Sequence, residues 1–214
     1  MSLVVVGGHS RNVGKTSVVA GLIAALPEFN WTAMKITQYG HNVCSNHGQP
    51  CHCATEDHTW GISEEKERSG LTDTSRFLVA GAERVWWVRS QQGHLAEALP
   101  NLRKVLASCR NAILESNSIV KFLRPDLYLT VLDPETADFK QSAQEFLDRA
   151  DAVIMHKSKA ANWQGVSLKP VTGRPIFSIH PPQYITVEIV DFVRSQLNPG
   201  SNSRVKGLAR ESQF

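Results

Sequence analysis

A loop near the start of the chain combines the residue types that hold phosphate groups in proteins. It reads Gly8-His9-Ser10-Arg11-Asn12-Val13-Gly14-Lys15-Thr16-Ser17 and lies between two apolar stretches, the second of which is helix-like. Glycines let backbone N–H groups turn toward phosphate oxygens, and a helix start adds partial positive charge. Lys15 can reach β- and γ-phosphates and stabilise charge during phosphoryl transfer, and the Thr16 hydroxyl can bind Mg²⁺. The predicted contacts with a nucleoside triphosphate, ATP or GTP, are Gly8, Asn12, Val13, Gly14, Lys15, Thr16 and Ser17.

Three charged residues at the ends of other predicted elements are candidates for the same site. Glu115 ends an apolar stretch, and a carboxylate at the carboxyl end of a buried strand faces the ligand crevice, where it suits Mg²⁺. Asp73 is a second candidate Mg²⁺ ligand, and it could equally cap a helix predicted from Thr74. Lys35 ends another buried strand, which predicts a phosphate or carboxylate partner. Solvent-exposed positions for Glu115 and Lys35 are the alternative.

A polar segment between residues 39 and 71 contains most of the cysteine of the chain. Cys44, Cys51, Cys53 and His58 carry the thiolate and imidazole groups that zinc prefers. Three cysteines and one histidine would complete a tetrahedral zinc site. The same cysteines could instead hold an iron–sulfur cluster or form a redox-active thiol pair. A loop whose cysteines have no function is the remaining alternative.

Short apolar runs alternate with helical patterns along most of the chain, which predicts an α/β fold. The runs are apolar on both faces, as in buried parallel strands, and so indicate a P-loop three-layer α-β-α fold with a mainly parallel seven-stranded sheet. The predicted strands are Leu3–Val6, Thr32–Ile36, Arg84–Val88, Ala112–Glu115, Leu127–Leu132, Ala152–Met155 and Pro175–Ile179. The predicted helices are Lys15–Leu26, Thr74–Ala82, a stretch from Leu95 to Leu106 that Pro100 could split, Gln141–Ala150 and Val187–Leu197. One domain is expected over residues 1–198, with residues 39–71 as an insertion and residues 199–214 as a disordered tail.

Composition narrows the classes of partner. The chain has 214 residues and a formal net charge of +3, which is too small to indicate nucleic-acid or membrane binding. The apolar run from Val18 to Leu26 is too short to span a bilayer, and no export signal is visible at the start. A cytoplasmic protein is therefore expected, in which structural disulfides are unusual.

The loop and the motifs after it resemble two families of biosynthetic P-loop proteins. Five residues separate Gly8 from Gly14, one more than in the common pattern, and this longer loop resembles that of dethiobiotin synthetase and the cobyric acid synthase group. A longer resemblance is to the molybdopterin-guanine dinucleotide biosynthesis adapter (MobB-like) proteins. It is carried by Lys35, His41, Gly70-Leu71-Thr72-Asp73-Thr74-Ser75-Arg76-Phe77, Ala80-Gly81-Ala82 and Ile113-Leu114-Glu115.

The resemblance implies a MobB-like, Mg²⁺-dependent nucleotide-binding protein of cofactor biosynthesis that works as a homodimer with a biosynthetic partner enzyme. Slow hydrolysis of the bound nucleotide is compatible with this role. In such proteins an Asn-Lys pair after a late strand reads the base; here His156 replaces the asparagine and Lys157 is kept, so ATP and GTP stay open. One alternative is an ATP-dependent ligase resembling dethiobiotin synthetase. That resemblance implies a catalytic role for Lys35 at the second substrate. The glycine-rich stretch of that enzyme is absent, because this chain reads Glu115-Ser116-Asn117-Ser118. The other alternative is a non-enzymatic metal- or redox-responsive nucleotide switch.

Overall fold

A mainly parallel β-sheet forms the centre of the computed structural model, which describes residues 1–39, 59–158, 163 and 165–198. The strands are β1 Ser2–Gly8, β2 Trp31–Tyr39, β3 Trp60–Glu64, β4 Arg84–Gln91, β5 Asn111–Glu115, β6 Leu127–Leu132, β7 Ala152–His156 and β8 Ile176–Ile179. Their order across the sheet is β3-β4-β2-β5-β1-β6-β7-β8. Every neighbouring pair is parallel except β3 and β4, which are antiparallel.

Helices cover both faces of this sheet, so the predicted three-layer α/β P-loop fold is confirmed. The helices are α1 Lys15–Ala25, α2 Asp73–Val79, α3 Leu95–Ala107, α4 Gln141–Glu145 and α5 Val187–Leu197. Alternate residues of the central strand β1 belong to different cores: Val4 and Val6 pack with α1, α2 and α5, whereas Val5 packs with α3. Burial on both faces explains why the strands read as continuous apolar runs.

The prediction of seven strands is wrong by one. The additional strand, β3, lies within the segment 39–71, which the sequence indicates as an insertion and in which no strand is predicted. It has only five residues, and Gly61, Ser63 and Glu64 give it little apolar character. Trp60 and Ile62 pack on the α3 side of the sheet, and pairing with β4 at the sheet edge supplies the order that the local sequence does not.

Three helices also differ from their predictions. α2 begins at Asp73 and ends at Val79, before the predicted end at Ala82. α3 is continuous although it contains Pro100, because its buried leucines bind it to the sheet over its whole length. α4 ends at Glu145, and a short 3₁₀ turn over Leu147–Arg149 replaces its predicted second half. None of the helices in the described ranges is long and apolar enough to cross a membrane.

The strand order decides which residues meet at the carboxyl edge of the sheet. β5 lies between β1 and β2 in the sheet. After β1, the loop and α1, the chain therefore enters the sheet again as β2, two positions from β1, and β5 later fills the position between them. The register pairs Glu115 at the end of β5 with Val6 of β1 on one side and with Lys35 of β2 on the other. The phosphate loop, Lys35 and Glu115 are therefore neighbours by topology.

Helix α2, which supplies Asp73, begins with a reciprocal capping interaction. The Thr72 hydroxyl accepts a hydrogen bond from the Ser75 backbone N–H at 3.1 Å, and the Ser75 hydroxyl accepts one from the Thr72 N–H at 3.0 Å. Two backbone groups that a helix start leaves unpaired are thereby satisfied.

We expect Thr72→Ala to lower the free energy of unfolding by about 1 kcal/mol, because the N–H of Ser75 loses its acceptor. Urea denaturation followed by circular dichroism measures this change. Ser69→Ala is the matched control, since the Ser69 hydroxyl lies in an exposed turn, where it accepts a hydrogen bond from the N–H of Leu71. Equal midpoints for the two variants would contradict the capping argument.

Candidate functional site

The phosphate loop joins β1 to α1 and turns sharply at two residues with positive φ. Asn12 has φ 57° and Gly14 has φ 90°, and asparagine and glycine are the residues that adopt this left-handed region most readily. A Cβ atom on Gly14 would lie 2.1 Å from the Tyr184 ring, so glycine is required there for space as well as for backbone conformation. These two residues lead the loop backbone into the start of α1. The N–H groups of the first helical turn, which have no partner within the helix, therefore lie next to those of the loop.

His9 ties one side of the loop to the segment after β6. Its ring is fully buried, and its Nε2 atom accepts a hydrogen bond from the Asp133 backbone N–H at 3.0 Å. The proton is therefore on Nδ1, which donates to the Asp138 carbonyl at 2.9 Å. Burial lowers the pKa of His9, opposed in part by these backbone contacts, so the neutral form that this geometry needs is favoured. The Ser10 hydroxyl adds a second tie, donating to the Asp138 carboxylate at 2.6 Å.

Asn117 holds the other side of the loop. Its side-chain oxygen accepts from the Gly8 N–H at 2.7 Å, and its side-chain amide donates to the Gly8 carbonyl at 2.7 Å. Asn117 lies just beyond the end of β5, so the amide extends the pairing of β1 with β5 by one position. A Cβ atom on the preceding residue, Gly7, would lie 2.5 Å from the Asn117 oxygen. The start of the loop is consequently fixed by a side chain from a distant part of the sequence.

The far end of the loop contacts the last residue of β7 and the segment after β8. His156 donates from Nε2 to the Val13 carbonyl at 3.0 Å, and the Tyr184 ring lies edge-on to the His156 ring at 5.9 Å. The Lys157 backbone N–H donates to the Ile179 carbonyl, while its side chain is exposed. The lysine predicted to contact the base therefore lies next to a residue that holds the loop.

The Lys15 side chain folds back over the loop. Its ammonium donates to the Ser10 carbonyl of the same loop. Burial lowers the pKa of Lys15 to about 8, an effect that Glu115 opposes and that the nearby ammonium groups of Lys140 and Lys35 reinforce. A phosphate group at this position would supply the negative charge that the environment of Lys15 lacks.

Four of the predicted residues come together next to Lys15, and we call them the Lys35 cluster: Thr16, Lys35, Asp73 and Glu115. The Lys35 Nζ atom lies 2.7 Å from Glu115 Oε1, 2.7 Å from Asp73 Oδ2 and 3.3 Å from Thr16 Oγ1. The Thr16 hydroxyl in turn donates to Glu115 Oε2 at 2.8 Å. One ammonium group is thus surrounded by three oxygen atoms from three different elements.

The charges in the Lys35 cluster differ in their access to solvent. The side chains of Lys35 and Glu115 are only 14% and 7% exposed, whereas that of Asp73 is 45% exposed. Burial alone would lower the pKa of Lys35, but Glu115 and Asp73 outweigh it, and the pKa is raised. Lys35 is therefore a cation at neutral pH, and the pairing compensates for the burial of Glu115.

Arg76 is a site residue to which the sequence assigned only a place in a motif. It extends from α2 to the first turn of α1, where Nη2 donates to the Ser17 hydroxyl at 3.0 Å. Its Nη1 atom also lies 4.0 Å from the Asp73 carboxylate. The Ser17 hydroxyl, a predicted nucleotide contact, is thus already paired with a cation. The spacing of Asp73 and Arg76 on one helix face was the available signal.

The remaining predicted ligands lie outside the residues that the structure describes. Cys44, Cys51, Cys53 and His58 all fall between residues 40 and 58, so the predicted zinc or iron–sulfur site is untested. Elsewhere in the described chain, no three His, Cys, Asp or Glu side chains are grouped to hold a metal ion. The Lys35 cluster has two carboxylates and one hydroxyl.

Comparisons with known proteins give structural similarity alone. No protein-family model matches the chain, and no curated protein sequence matches it. Solved structures similar to it include the apo form of LpxK from Aquifex aeolicus in complex with ATP, at 20% identity and a TM-score of 0.46. That match covers 83% of this chain and 53% of LpxK, so the chain spans about half of the length of LpxK.

Two further similar structures match over more of their length. HypB from Helicobacter pylori in complex with nickel is 15% identical with a TM-score of 0.46, over 94% of this chain and 87% of that protein. MobB from Bacillus subtilis is 18% identical with a TM-score of 0.40, over 92% and 97% respectively. Because all of these scores are low, the P-loop fold of this chain is assigned from its own strand order and loop geometry.

The buried, neutral His9 predicts a particular dependence of stability on pH. An unfolded histidine takes up a proton near pH 6.5, whereas folded His9 does so only at lower pH, so the unfolded chain binds more protons in between. We expect the stability supplied by this neutral form to be complete above about pH 6.5 and to be lost as pH falls below it. Urea midpoints measured from pH 5 to pH 8 test this expectation.

The variant His9→Asn should flatten this pH profile, because an asparagine amide can still donate to the Asp138 carbonyl but does not titrate. His180→Asn is the control, since His180 is exposed and should leave the profile unchanged. An unaltered slope in His9→Asn would contradict the assignment of His9 as a neutral, buried residue.

Proposed function

We propose that the chain binds a nucleoside triphosphate together with Mg²⁺ through the loop from Gly8 to Ser17. The observation that supports this most directly is the position of the Lys35 cluster at the start of α1. Thr16 follows Lys15 there, and the carboxylates of Glu115 and Asp73 are close enough to interact electrostatically with the Lys15 ammonium. Phosphates bound at a helix start and a cation bound to them are expected side by side in such an arrangement.

The residues present fit Mg²⁺ by the chemistry of their donor atoms. The Thr16 hydroxyl and the carboxylates of Glu115 and Asp73 are hard oxygen ligands, which Mg²⁺ prefers over nitrogen and sulfur. They already surround one cation, the Lys35 ammonium. When bound, Mg²⁺ would neutralise charge on the β- and γ-phosphates.

The roles of the protein groups follow from their positions. Loop N–H groups and Lys15 bind the phosphates, and Lys15 exchanges its contact with the Ser10 carbonyl for one with phosphate oxygen. The contacts from Asn117, His9 and His156 keep the loop in place, so little order has to be gained on binding. In a hydrolytic reaction, Lys15 and the loop N–H groups would stabilise the charge that develops on the transferred phosphoryl group.

We further propose a MobB-like role in cofactor biosynthesis, as a homodimer with a partner enzyme. Its support is the ordered set of motifs in the sequence, together with the contacts that these motifs make near the loop. From α2, Asp73 contacts Lys35 and Arg76 contacts Ser17. From β5, Glu115 contacts Thr16. Binding rather than rapid turnover is the central activity in this proposal. Turnover dependent on a small diamine or carboxylate acceptor would instead support the ligase resembling dethiobiotin synthetase.

Replacement of the loop lysine tests nucleotide binding. We expect Lys15→Ala to weaken ATP or GTP binding in the presence of Mg²⁺ by about tenfold or more, because hydrogen bonds to charged groups are worth roughly 1.5–3 kcal/mol. Isothermal titration calorimetry with both nucleotides measures the loss. Lys104→Ala is the charge-matched control, since Lys104 is exposed on α3. Equal affinities of wild type and Lys15→Ala for both nucleotides would refute the proposed function.

Lys157 provides a test of base contact that is separate from phosphate contact. If its exposed stem packs against the base, Lys157→Ala should weaken binding of the preferred nucleotide by a few-fold, on the order of 1 kcal/mol. Binding of inorganic triphosphate, which has no base, should stay unchanged. A parallel loss for both ligands in competition titrations would show that Lys157 acts through phosphate or through general charge.

A further inference from the structure

The Lys35 ammonium lies among the oxygen atoms to which the proposed function assigns a metal ion. Its Nζ atom contacts one oxygen each from Glu115, Asp73 and Thr16 at 2.7, 2.7 and 3.3 Å. These are the same oxygen ligands that the proposed function assigns to Mg²⁺. The ammonium contacts all three oxygen atoms at once. It is therefore a cation, attached to the backbone by a four-carbon chain, in a site suited to cations.

The two cations exclude each other at this position. Mg²⁺ needs its oxygen ligands at about 2.0–2.1 Å, closer than the ammonium stands from Glu115 and Asp73. A metal ion bound to these oxygens would therefore lie within a few ångströms of Nζ, and two positive charges at that distance in a partly buried site repel strongly. One of them has to leave.

We propose that Lys35 competes with Mg²⁺, so that metal binding requires the ammonium to leave Glu115 and Asp73. This inference rests on the proposed function, and it concerns how the same site is regulated. Without a polyphosphate, the tethered ammonium keeps the affinity for metal low. A polyphosphate offers the displaced ammonium a new anionic partner, and the metal and the nucleotide then bind together rather than singly.

The exit of Lys35 is open on one side. Asp73 is 45% exposed, whereas Glu115 is 7% exposed, so the ammonium can leave past Asp73 toward solvent while Glu115 stays in place. Loss of this contact also releases Asp73, at the start of α2, from β2. The exchange of cations therefore changes how α2 is held against the loop, with the contact from Arg76 to Ser17 remaining.

Replacement of Lys35 distinguishes competition from a merely structural role. In the competitive arrangement, Lys35→Met leaves the carboxylates without a cation, so the affinity for divalent metal in the absence of nucleotide should rise by about tenfold or more. If Lys35 only holds the carboxylates in place, the same variant should bind metal with unchanged or lower affinity. Lys35→Arg keeps the charge and should bind metal about as weakly as wild type.

The measurement is Mn²⁺ binding to the full chain by electron paramagnetic resonance, with Mg²⁺ displacement to confirm a shared site. Lys104→Met controls for the loss of one positive charge elsewhere, and Lys35→Met combined with Glu115→Gln should lose the gain. Circular dichroism verifies the fold of each variant. No gain in folded Lys35→Met, or an equal gain in Lys104→Met, would overturn the inference.

A second readout uses the wild-type chain and does not depend on the folding of any variant. Amine acylation followed by peptide mass spectrometry should show that Lys35 reacts several-fold faster with saturating Mg²⁺, because the displaced ammonium is no longer bound to two carboxylates. Unchanged reactivity with metal bound would overturn the inference.

These experiments separate the inference from the proposed function. Nucleotide binding that requires Lys15, without a gain of metal affinity in Lys35→Met, would refute the competition alone. A gain of metal affinity in Lys35→Met, without nucleotide binding by wild type, would refute the proposed function and leave the exchange of cations as a property of the cluster.

Discussion

One buried ammonium group joins the three parts of the chain on which the site depends. Lys35 of β2 contacts Glu115 at the end of β5, Asp73 at the start of α2 and Thr16 at the start of α1. The neighbouring positions of Lys35 and Glu115 follow from the insertion of β5 between β1 and β2. Truncating either partner of such a buried pair leaves an uncompensated charge, so the geometry of the site and the stability of its surroundings are coupled.

The same edge of the sheet shows which side chains position the phosphate loop without forming part of it. Asn117 pairs with both backbone groups of Gly8, and His9 is bound through both ring nitrogens to the segment after β6. These contacts are made by neutral groups, and they leave the charges of Lys15 and the Lys35 cluster facing the loop. Fixed neutral supports with charged groups at the centre are what preorganised binding of an anion requires.

The sequence predicted the parts of this arrangement that depend on local pattern. The parallel strands at the centre of the sheet appear as apolar runs because they are buried on both faces, and Lys35 and Glu115 stand out as charged residues near the ends of such runs. β3 was missed because its order comes from pairing with β4 rather than from its own composition.

The supporting residues were missed for a similar reason. Asn117 and His9 are unremarkable polar residues whose partners lie more than a hundred positions away, at Gly8 and at Asp133 and Asp138. Only the three-dimensional arrangement gives them a role. The charged residues could be predicted because burial of a charge is rare enough to need an explanation, whereas a lone asparagine or histidine does not stand out.

The extra residue between Gly8 and Gly14 explains why the loop needs so many supports. Each additional residue costs roughly 1–2 kcal/mol of backbone entropy when it is fixed in one conformation. In this chain, Ser10 is held by Asp138, Val13 by His156, and the Ser10 carbonyl by Lys15. The first two contacts can persist when a phosphate binds, because among the side chains that make these three contacts only Lys15 is proposed to bind phosphate. The longer loop is thus ordered by contacts that binding does not have to break, and the single contact that must be exchanged is made by the residue that gains most from a phosphate.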